Sequence, residues 1–132
     1  DNFKKINDLY GHQAGDQVLR KVAEIMVAHL RPSDGVCRLG GDEFLLVMGG
    51  AGESQLREVA ARLRAALQSS PVVSRAGPVS VSLSIGGVVY AAGTSIAPEL
   101  ALEEADQALY QSKRAGRNRL SVLGPAARAA AG

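Results

Sequence analysis

The stretch Arg38-Leu39-Gly40-Gly41-Asp42-Glu43-Phe44-Leu45-Leu46-Val47 sets two glycines and two adjacent carboxylates between short apolar runs at 36–39 and 44–48. Apolar runs on either side of so compact a polar segment predict a tight β-hairpin. The glycines accept φ > 0 and leave no side chain above the turn, so a large ligand can come close to the backbone. Two carboxylates side by side at a hairpin tip repel each other unless a cation or a proton lies between them. A tip that serves folding alone is better made from Asn-Gly or Asp-Gly beside neutral neighbours. Taken by themselves, these four residues also read as a solvated acidic turn.

Working outward, Val18, Leu19, Val22, Met26, Val27 and Leu30 recur at helical spacing and predict a helix from Ala14, stopped by Pro32-Ser33-Asp34-Gly35. Phe3, Ile6 and Leu9 share that spacing in an otherwise mixed stretch. After the hairpin, residues 49–52 read as a loop and Ser54 as a candidate N-cap. Leu56, Val59, Ala60, Leu63 and Leu67 then mark a second amphipathic helix. Val79, Val81, Leu83 and Ile85 alternate with serines, the period of a half-buried strand, which Val88-Val89-Tyr90 continues past a bulge at Gly86-Gly87. A third helix opens near Pro98, carries Leu102, Ala105, Leu109 and Tyr110 on its apolar face and ends at Gly116. Residues 120–123 read as a final strand, and the Ala-rich tail 125–132 is expected to be disordered.

This order predicts one α+β domain over residues 1–124, a sandwich with a mostly antiparallel central sheet and flanking helices. A split βαβ arrangement puts a strand ahead of the first helix, so a first strand is expected to be absent from this chain.

Composition narrows the function classes. The chain of 132 residues is 46% hydrophobic and 21% charged, without Trp, so its core must come from Leu, Val, Ile and Ala. A net charge of +2 gives no case for nucleic acid or an anionic membrane as partner. The single cysteine, Cys37, excludes an intrachain disulfide and suits a reducing compartment. With no His near it in sequence, Cys37 reads as a buried strand residue rather than a nucleophile. No apolar run is long enough for a membrane span and no signal segment opens the chain, so a cytoplasmic location without membrane contact is expected.

The chain resembles the GGDEF family of bacterial diguanylate cyclases over nearly its whole length. The matching motifs run from Asp1-Asn2-Phe3-Lys4-Lys5-Ile6-Asn7-Asp8 through Gly11-His12, Gly15-Asp16 and the hairpin to Lys113 and Arg117-Asn118. The resemblance implies a fold akin to nucleotidyl cyclase and polymerase palm domains. It also implies an enzyme that condenses two GTP into cyclic di-GMP with release of pyrophosphate. Such phosphoryl transfer needs divalent cations, and Mg²⁺ usually takes one or two protein carboxylates. By resemblance, Asp42 is a ligand of Mg²⁺ (or Mn²⁺). Glu43 is either a second ligand or the group that helps to deprotonate the attacking 3′-hydroxyl, and the Gly40-Gly41 backbone lies against the nucleotide.

The resemblance assigns Asn7 and Asp16 to guanine, whose adjacent N–H donors suit a carboxylate or an amide oxygen. Alone, Asp16 reads rather as a first-turn carboxylate favoured by the helix dipole, and only the other motifs turn it toward guanine. Lys113 and Arg117 would hold the terminal phosphates, helped by backbone amides around Asn2, Phe3 and Lys4. Their spacing puts both on one helix face, where the dipole alone also favours cations. Arg31-Pro32-Ser33-Asp34 matches the family's Arg-x-x-Asp product-inhibition site, in which Arg31 and Asp34 bind cyclic di-GMP and Arg62 is a secondary arginine. The planar fork of arginine suits such work.

The family's first metal carboxylate falls just before the position of Asp1, on the strand expected to be absent, so the chain is expected to be a truncated catalytic domain. The family acts as a homodimer, usually brought together by an upstream domain, which in the parent protein can include a membrane anchor. The competing reading is an inactive receptor module that binds GTP or cyclic di-GMP. The intact run from Gly40 to Phe44 favours the enzyme. A purely structural dimerisation domain has no use for Asn7, Asp16, Lys113 and Arg117 together.

Overall fold

Phe3, Ile6 and Leu9 do form a helix, α1 (Phe3–Tyr10), which buries Ile6. It stops because Gly11 takes φ 92, a left-handed conformation costly for any residue with a side chain. The Gly11 amide closes onto the Asn7 carbonyl at 2.8 Å, and the chain re-enters helix at once as α2 (His12–His29). Two helices therefore stand where one was expected from Ala14. The computed structural model describes residues 1, 3–40, 43–50, 52–74, 77–91 and 93–123. The expected tail 125–132 lies outside the described residues.

The remaining elements are β1 (Gly35–Gly40), β2 (Glu43–Val47), α3 (Glu53–Ser69), β3 (Val72–Ser74), β4 (Gly77–Val79), β5 (Ile85–Val88), α4 (Pro98–Arg114) and β6 (Leu120–Leu123). The α+β class is as expected. The described strands do not join into one sheet, however, but pair as three two-stranded ladders, β1–β2 and β3–β4 antiparallel and β5–β6 parallel. The chain divides into two compact units, Asp1–Gly49 with Ala61–Ser82, and Gly50–Ala60 with Leu83 onward.

In the first unit α1 and β3 both pack on α2. Val18, Val22, Ile25 and Met26 form the buried stripe of α2, joined in the core by Ile6, Ala14, Leu63, Leu67, Val72 and Val79. Each of these Val, Leu, Ile and Met side chains, fully buried, contributes about 1.5–3 kcal/mol relative to exposure. Val27 was expected on this stripe but is 61% exposed, because Ile25 and Met26 already fill the inward arc. The hairpin forms in the expected place, with Val36 opposite Leu46, Cys37 opposite Leu45 and Gly40 opposite Glu43. Cys37 is an exposed strand residue, contrary to the burial expected of it. The short hairpin β3–β4, with Val72 opposite Val79, has no counterpart in the expected order.

The expected strand from Val79 to Tyr90 is realised only at its two ends. Residues 80–84 lie outside any ladder, because a strand exists only where another strand accepts its hydrogen bonds. The Ser82 hydroxyl instead donates to the Asp1 carboxylate at 2.7 Å.

In the second unit α4 packs on both β5 and β6. Pro98 opens α4 with Ala97 as N-cap, as expected of a proline in the first turn. No bulge interrupts β5, whose Gly86 and Gly87 stand in register with Ser121 and Val122. Gly86 serves a close approach instead. A Cβ there would lie 2.1 Å from the Leu109 amide nitrogen and 2.6 Å from the Ala105 carbonyl oxygen. The inward face of α4 is therefore made of small residues, Ala108 and Ser112, both fully buried. Tyr110, expected on that face, is 61% exposed, with the Arg114 guanidinium 5.8 Å from its ring centre. Gly52, rather than Ser54, caps α3, its amide donating to the Gln55 side-chain oxygen at 2.9 Å in half of a capping box. Among the described residues no helix is long and apolar enough to cross a membrane.

Because the atoms facing Gly86 are helix backbone, they cannot swing aside. Gly86→Ala is expected to destabilise the protein by about 1–3 kcal/mol, read as a lowered denaturant midpoint. An unchanged midpoint would show that α4 does not seat on this glycine.

Candidate functional site

Glu43 stands at the first position of β2, exposed, and pairs across the hairpin with Gly40. The register shifts between Arg38 and Gly40, an irregularity of the kind that re-aims side chains beside a turn. Gly41 and Asp42, the two residues of the tip, lie outside the described residues. Among the described residues, no three of His, Cys, Asp and Glu gather to hold a metal ion. A Mg²⁺ shared between one or two carboxylates and a triphosphate needs no such cluster. The exposed Glu43 carboxylate, in no ion pair among the described residues, fits that donor set.

Asn7 and Gly15 come together through the α1–α2 corner. The Asn7 side-chain oxygen is buried and has no hydrogen-bond partner among the described residues. It lies so near Gly15 that a Cβ there would fall 1.8 Å from it, with the Phe3 ring 3.2 Å away. Gly15 thus gives the Asn7 carboxamide its seat. A buried acceptor without a donor costs about 1–3 kcal/mol, which a ligand N–H can recover. Sequence reasoning used Gly15 only as a neighbour of Asp16. The usable sign was a glycine inside a helix, which costs about 1 kcal/mol against alanine. Asp16 follows Gly15 and is exposed. Because α2 opens at His12, Asp16 lies beyond the first turn, and helix-dipole stabilisation gives little reason for a carboxylate there. Phe3 and Lys4 form the start of α1, where backbone amides have no partners within the helix. Asn2 lies outside the described residues.

Lys113 sits in the last turn of α4, but Arg117 does not continue the helix, which ends at Arg114. The one-face spacing expected for the pair therefore does not apply. Arg117 occupies the following turn with φ 64, and Asn118 has φ 48. Left-handed backbone costs a residue with a Cβ about 1–2 kcal/mol. The turn is held by the Arg117 amide on the Ser112 carbonyl at 2.9 Å and the Ala115 amide on the Gln111 carbonyl at 2.9 Å. Lys113, Arg114, Arg117 and Arg119 crowd this stretch, and among the described residues none has an anionic partner. The C-terminal end of α4 favours Lys113 and Arg114 without a ligand, while Arg117 and Arg119 lie beyond the helix and are exposed.

Arg31 and Asp34 pair directly with each other. Arg31 Nη2 lies 3.1 Å from Asp34 Oδ1 and its Nε 3.3 Å from Oδ2, a fork on a carboxylate, while the Arg31 amide donates to Oδ2 at 2.9 Å. Nη2 also donates to the Gly49 carbonyl, which ties the end of α2 to the loop after β2. The Asp34 side chain is 2% exposed and that of Arg31 53%, so the guanidinium keeps an open face. Arg62 is exposed on α3. The Arg31 side chain, then its backbone amide, hold the Asp34 carboxyl below the usual carboxylate range. A depressed folded pKa stabilises the fold at pH above the unfolded value of about 4, and that contribution is lost as pH falls through the folded value. A carboxyl NMR titration is expected to put the Asp34 midpoint below about 3.9 and Arg31→Ala to return it there. An ordinary midpoint in the unaltered protein would remove the pairing.

Comparison with known proteins follows the same residues. The sequence model of the family described as "Diguanylate cyclase, GGDEF domain" matches residues 1–119. Diguanylate cyclase DosC of Escherichia coli K12 is 39% identical over 123 residues, 92% of this chain and 26% of DosC. Response regulator PleD of Caulobacter vibrioides is 39% identical over 129 residues, 96% of this chain and 28% of PleD. The chain thus spans about a quarter of the length of these curated relatives. Among solved structures, the GGDEF domain of YfiN (or TpbB) from Pseudomonas aeruginosa superposes with a TM-score of 0.77 at 38% identity, over 92% of this chain and 76% of that one. The GGDEF domain of DgcB from Caulobacter crescentus, solved in complex with c-di-GMP, gives a TM-score of 0.78 at 33% identity, over 92% of this chain and 72% of that one. On a match that runs from Asp1 almost to the last strand, at this identity and likeness of fold, the chain belongs to the GGDEF-domain family.

Proposed function

We propose that this chain is the catalytic domain of a diguanylate cyclase, which joins two GTP into cyclic di-GMP and releases pyrophosphate. The observation that carries the reading is the buried Asn7 oxygen seated on Gly15, which has no hydrogen-bond partner among the described residues. Guanine offers the N–H donors that this acceptor lacks, and the Asp16 carboxylate can accept from the same edge. The unneutralised cations at Lys113 and Arg117 supply the complement to a triphosphate. By the family resemblance the amides at Phe3 and Lys4 add donors for its oxygens, and Gly40 and Gly41, which carry no side chains, are assigned to lie against the nucleotide.

Asp42 and Glu43 are the carboxylates that would hold Mg²⁺ (or Mn²⁺), which when bound offsets the charge of the phosphates. Glu43 serves as the second ligand or takes the proton of the 3′-hydroxyl. Each domain of a homodimer holds one GTP, and the 3′-hydroxyl of each attacks the α-phosphate of the other. The shared fold of nucleotidyl cyclases and polymerase palms suits that chemistry, since both join a 3′-hydroxyl to an α-phosphate. Arg31 and Asp34, with Arg62, form a site for the product, where the open face of the Arg31 guanidinium meets a phosphate or guanine.

The test is to incubate the full-length protein with Mg²⁺ and GTP and to separate the nucleotides. Cyclic di-GMP is expected. Glu43→Gln is expected to lower turnover by about a hundredfold or more, the range lost with a general base. Retained turnover in that variant would refute the role of Glu43. GTP binding without product, under conditions in which the protein dimerises, would favour a receptor instead. Arg31→Ala is expected to weaken cyclic di-GMP binding about tenfold or more, since a hydrogen bond to a charged group is worth about 1.5–3 kcal/mol. Unchanged affinity, measured by calorimetry, would sink the product site.

A further inference from the structure

The end of α4, beside Lys113 and Arg117, holds a buried hydroxyl that phosphate binding does not by itself require. Ser112 is completely inaccessible, the most buried polar residue among those described. Its Oγ lies 2.8 Å from the Ile85 carbonyl of β5 and 2.8 Å from the Ser121 hydroxyl of β6. A hydroxyl has one proton to give, so Ser112 donates to the Ile85 carbonyl and accepts from Ser121. The main chain of the same residue takes the Arg117 amide at 2.9 Å. Just beyond the turn, the Ile85 amide donates to the Arg119 carbonyl at 2.9 Å. Ser112 is thus fastened to both strands that flank the turn and, through its carbonyl, to the left-handed residue within it.

Left-handed backbone at a residue such as Arg117 persists only where its surroundings over-determine it. Glycine would adopt φ 64 at no cost, yet the residue there is an arginine. We infer that Ser112 is a positioning residue for a triphosphate: its hydroxyl sets the last turn of α4 on β5 and β6, and so aims Lys113 and the strained Arg117. This rests on the reading of Lys113 and Arg117 as phosphate ligands. An alanine would fill the space, as Ala108 does one turn earlier, but it would leave the helix end free to shift along the strands. Arg117 would then relax toward ordinary φ and turn its guanidinium away.

The test compares binding of a non-hydrolysable GTP analogue with binding of guanosine, which lacks phosphates, to the full-length protein. Ser112→Ala is expected to weaken the analogue by roughly threefold to tenfold, the worth of about one net hydrogen bond. Guanosine affinity is expected to stay unchanged. In an Arg117→Ala background the same substitution is expected to cost much less, because the side chain it aims is gone. Equal weakening of both ligands, or full additivity with Arg117→Ala, would make Ser112 merely structural and overturn the inference. Normal affinity in Ser112→Ala beside a loss in Arg117→Ala would also overturn it, while leaving the phosphate reading intact. Unchanged affinity in both Lys113→Ala and Arg117→Ala would remove the phosphate reading itself. Should Ser112→Ala fail to fold, Ser121→Ala decides the matter, since it deletes one arm of the network from a half-buried strand. Weaker analogue binding with normal guanosine binding supports the inference, and no change refutes it.

Discussion

Backbone lies against its neighbours at two glycines, and the candidate site depends on how near it comes. At Gly86 the main chain of α4 touches β5, and at Gly15 the Asn7 carboxamide rests on α2. No other residue type leaves those spaces empty, since any Cβ would fall well inside contact distance. The approach at Gly86 forces small residues onto the inward face of α4, and one of them, Ser112, brings a hydroxyl into contact with two strands. The approach at Gly15 buries an amide oxygen that no donor among the described residues reaches. The same device therefore packs one unit and leaves the other with an unmet acceptor.

The charged residues divide by what surrounds them. Asp34 is closed off by Arg31, which satisfies both of its oxygens and draws its pKa down. That pair works as a local brace at the end of α2, with one face of the guanidinium still open. The cations at Lys113, Arg114, Arg117 and Arg119 have no such carboxylate among the described residues, and all but the half-buried Lys113 are exposed to solvent. Arginine is thus used in two ways among the described residues, once as a preset brace on a carboxylate and once as an exposed cation that the proposed function turns toward a phosphate.

Much of this was legible. The hairpin at 35–47, the helix with Leu56, Leu63 and Leu67, the helix opened by Pro98 and the final strand all appear where periodicity and breakers put them. Local rules suffice there because each element is long enough, or ringed closely enough by glycine and proline, to declare its own period. The corner at Gly11 was less legible, since Phe3, Ile6 and Leu9 share a period with the helix that follows. The serine and valine alternation at 79–85 was misleading, for alternation shows that a segment can pair on one face and not that a partner exists. Tyr110 and Val27 fell outside the core because helix periodicity fixes an arc and not how much of that arc is covered.

The motifs were a property of the sequence alone. Asn7, Asp16, the Gly40 to Phe44 run, Lys113, Arg117 and Arg31-x-x-Asp34 stand in an order that settles family membership, since chemistry at a site needs particular residue types. Their working geometry was decided only in three dimensions. That Asn7 is an unmet acceptor depends on a glycine eight residues away. That Arg117 is strained depends on where α4 ends, and α4 packs both on β6, which follows it closely, and on β5, which lies well before it in the chain. Sequence spacing reports which side chains a segment carries. Burial, partnership and backbone strain are set by what the rest of the chain brings against it.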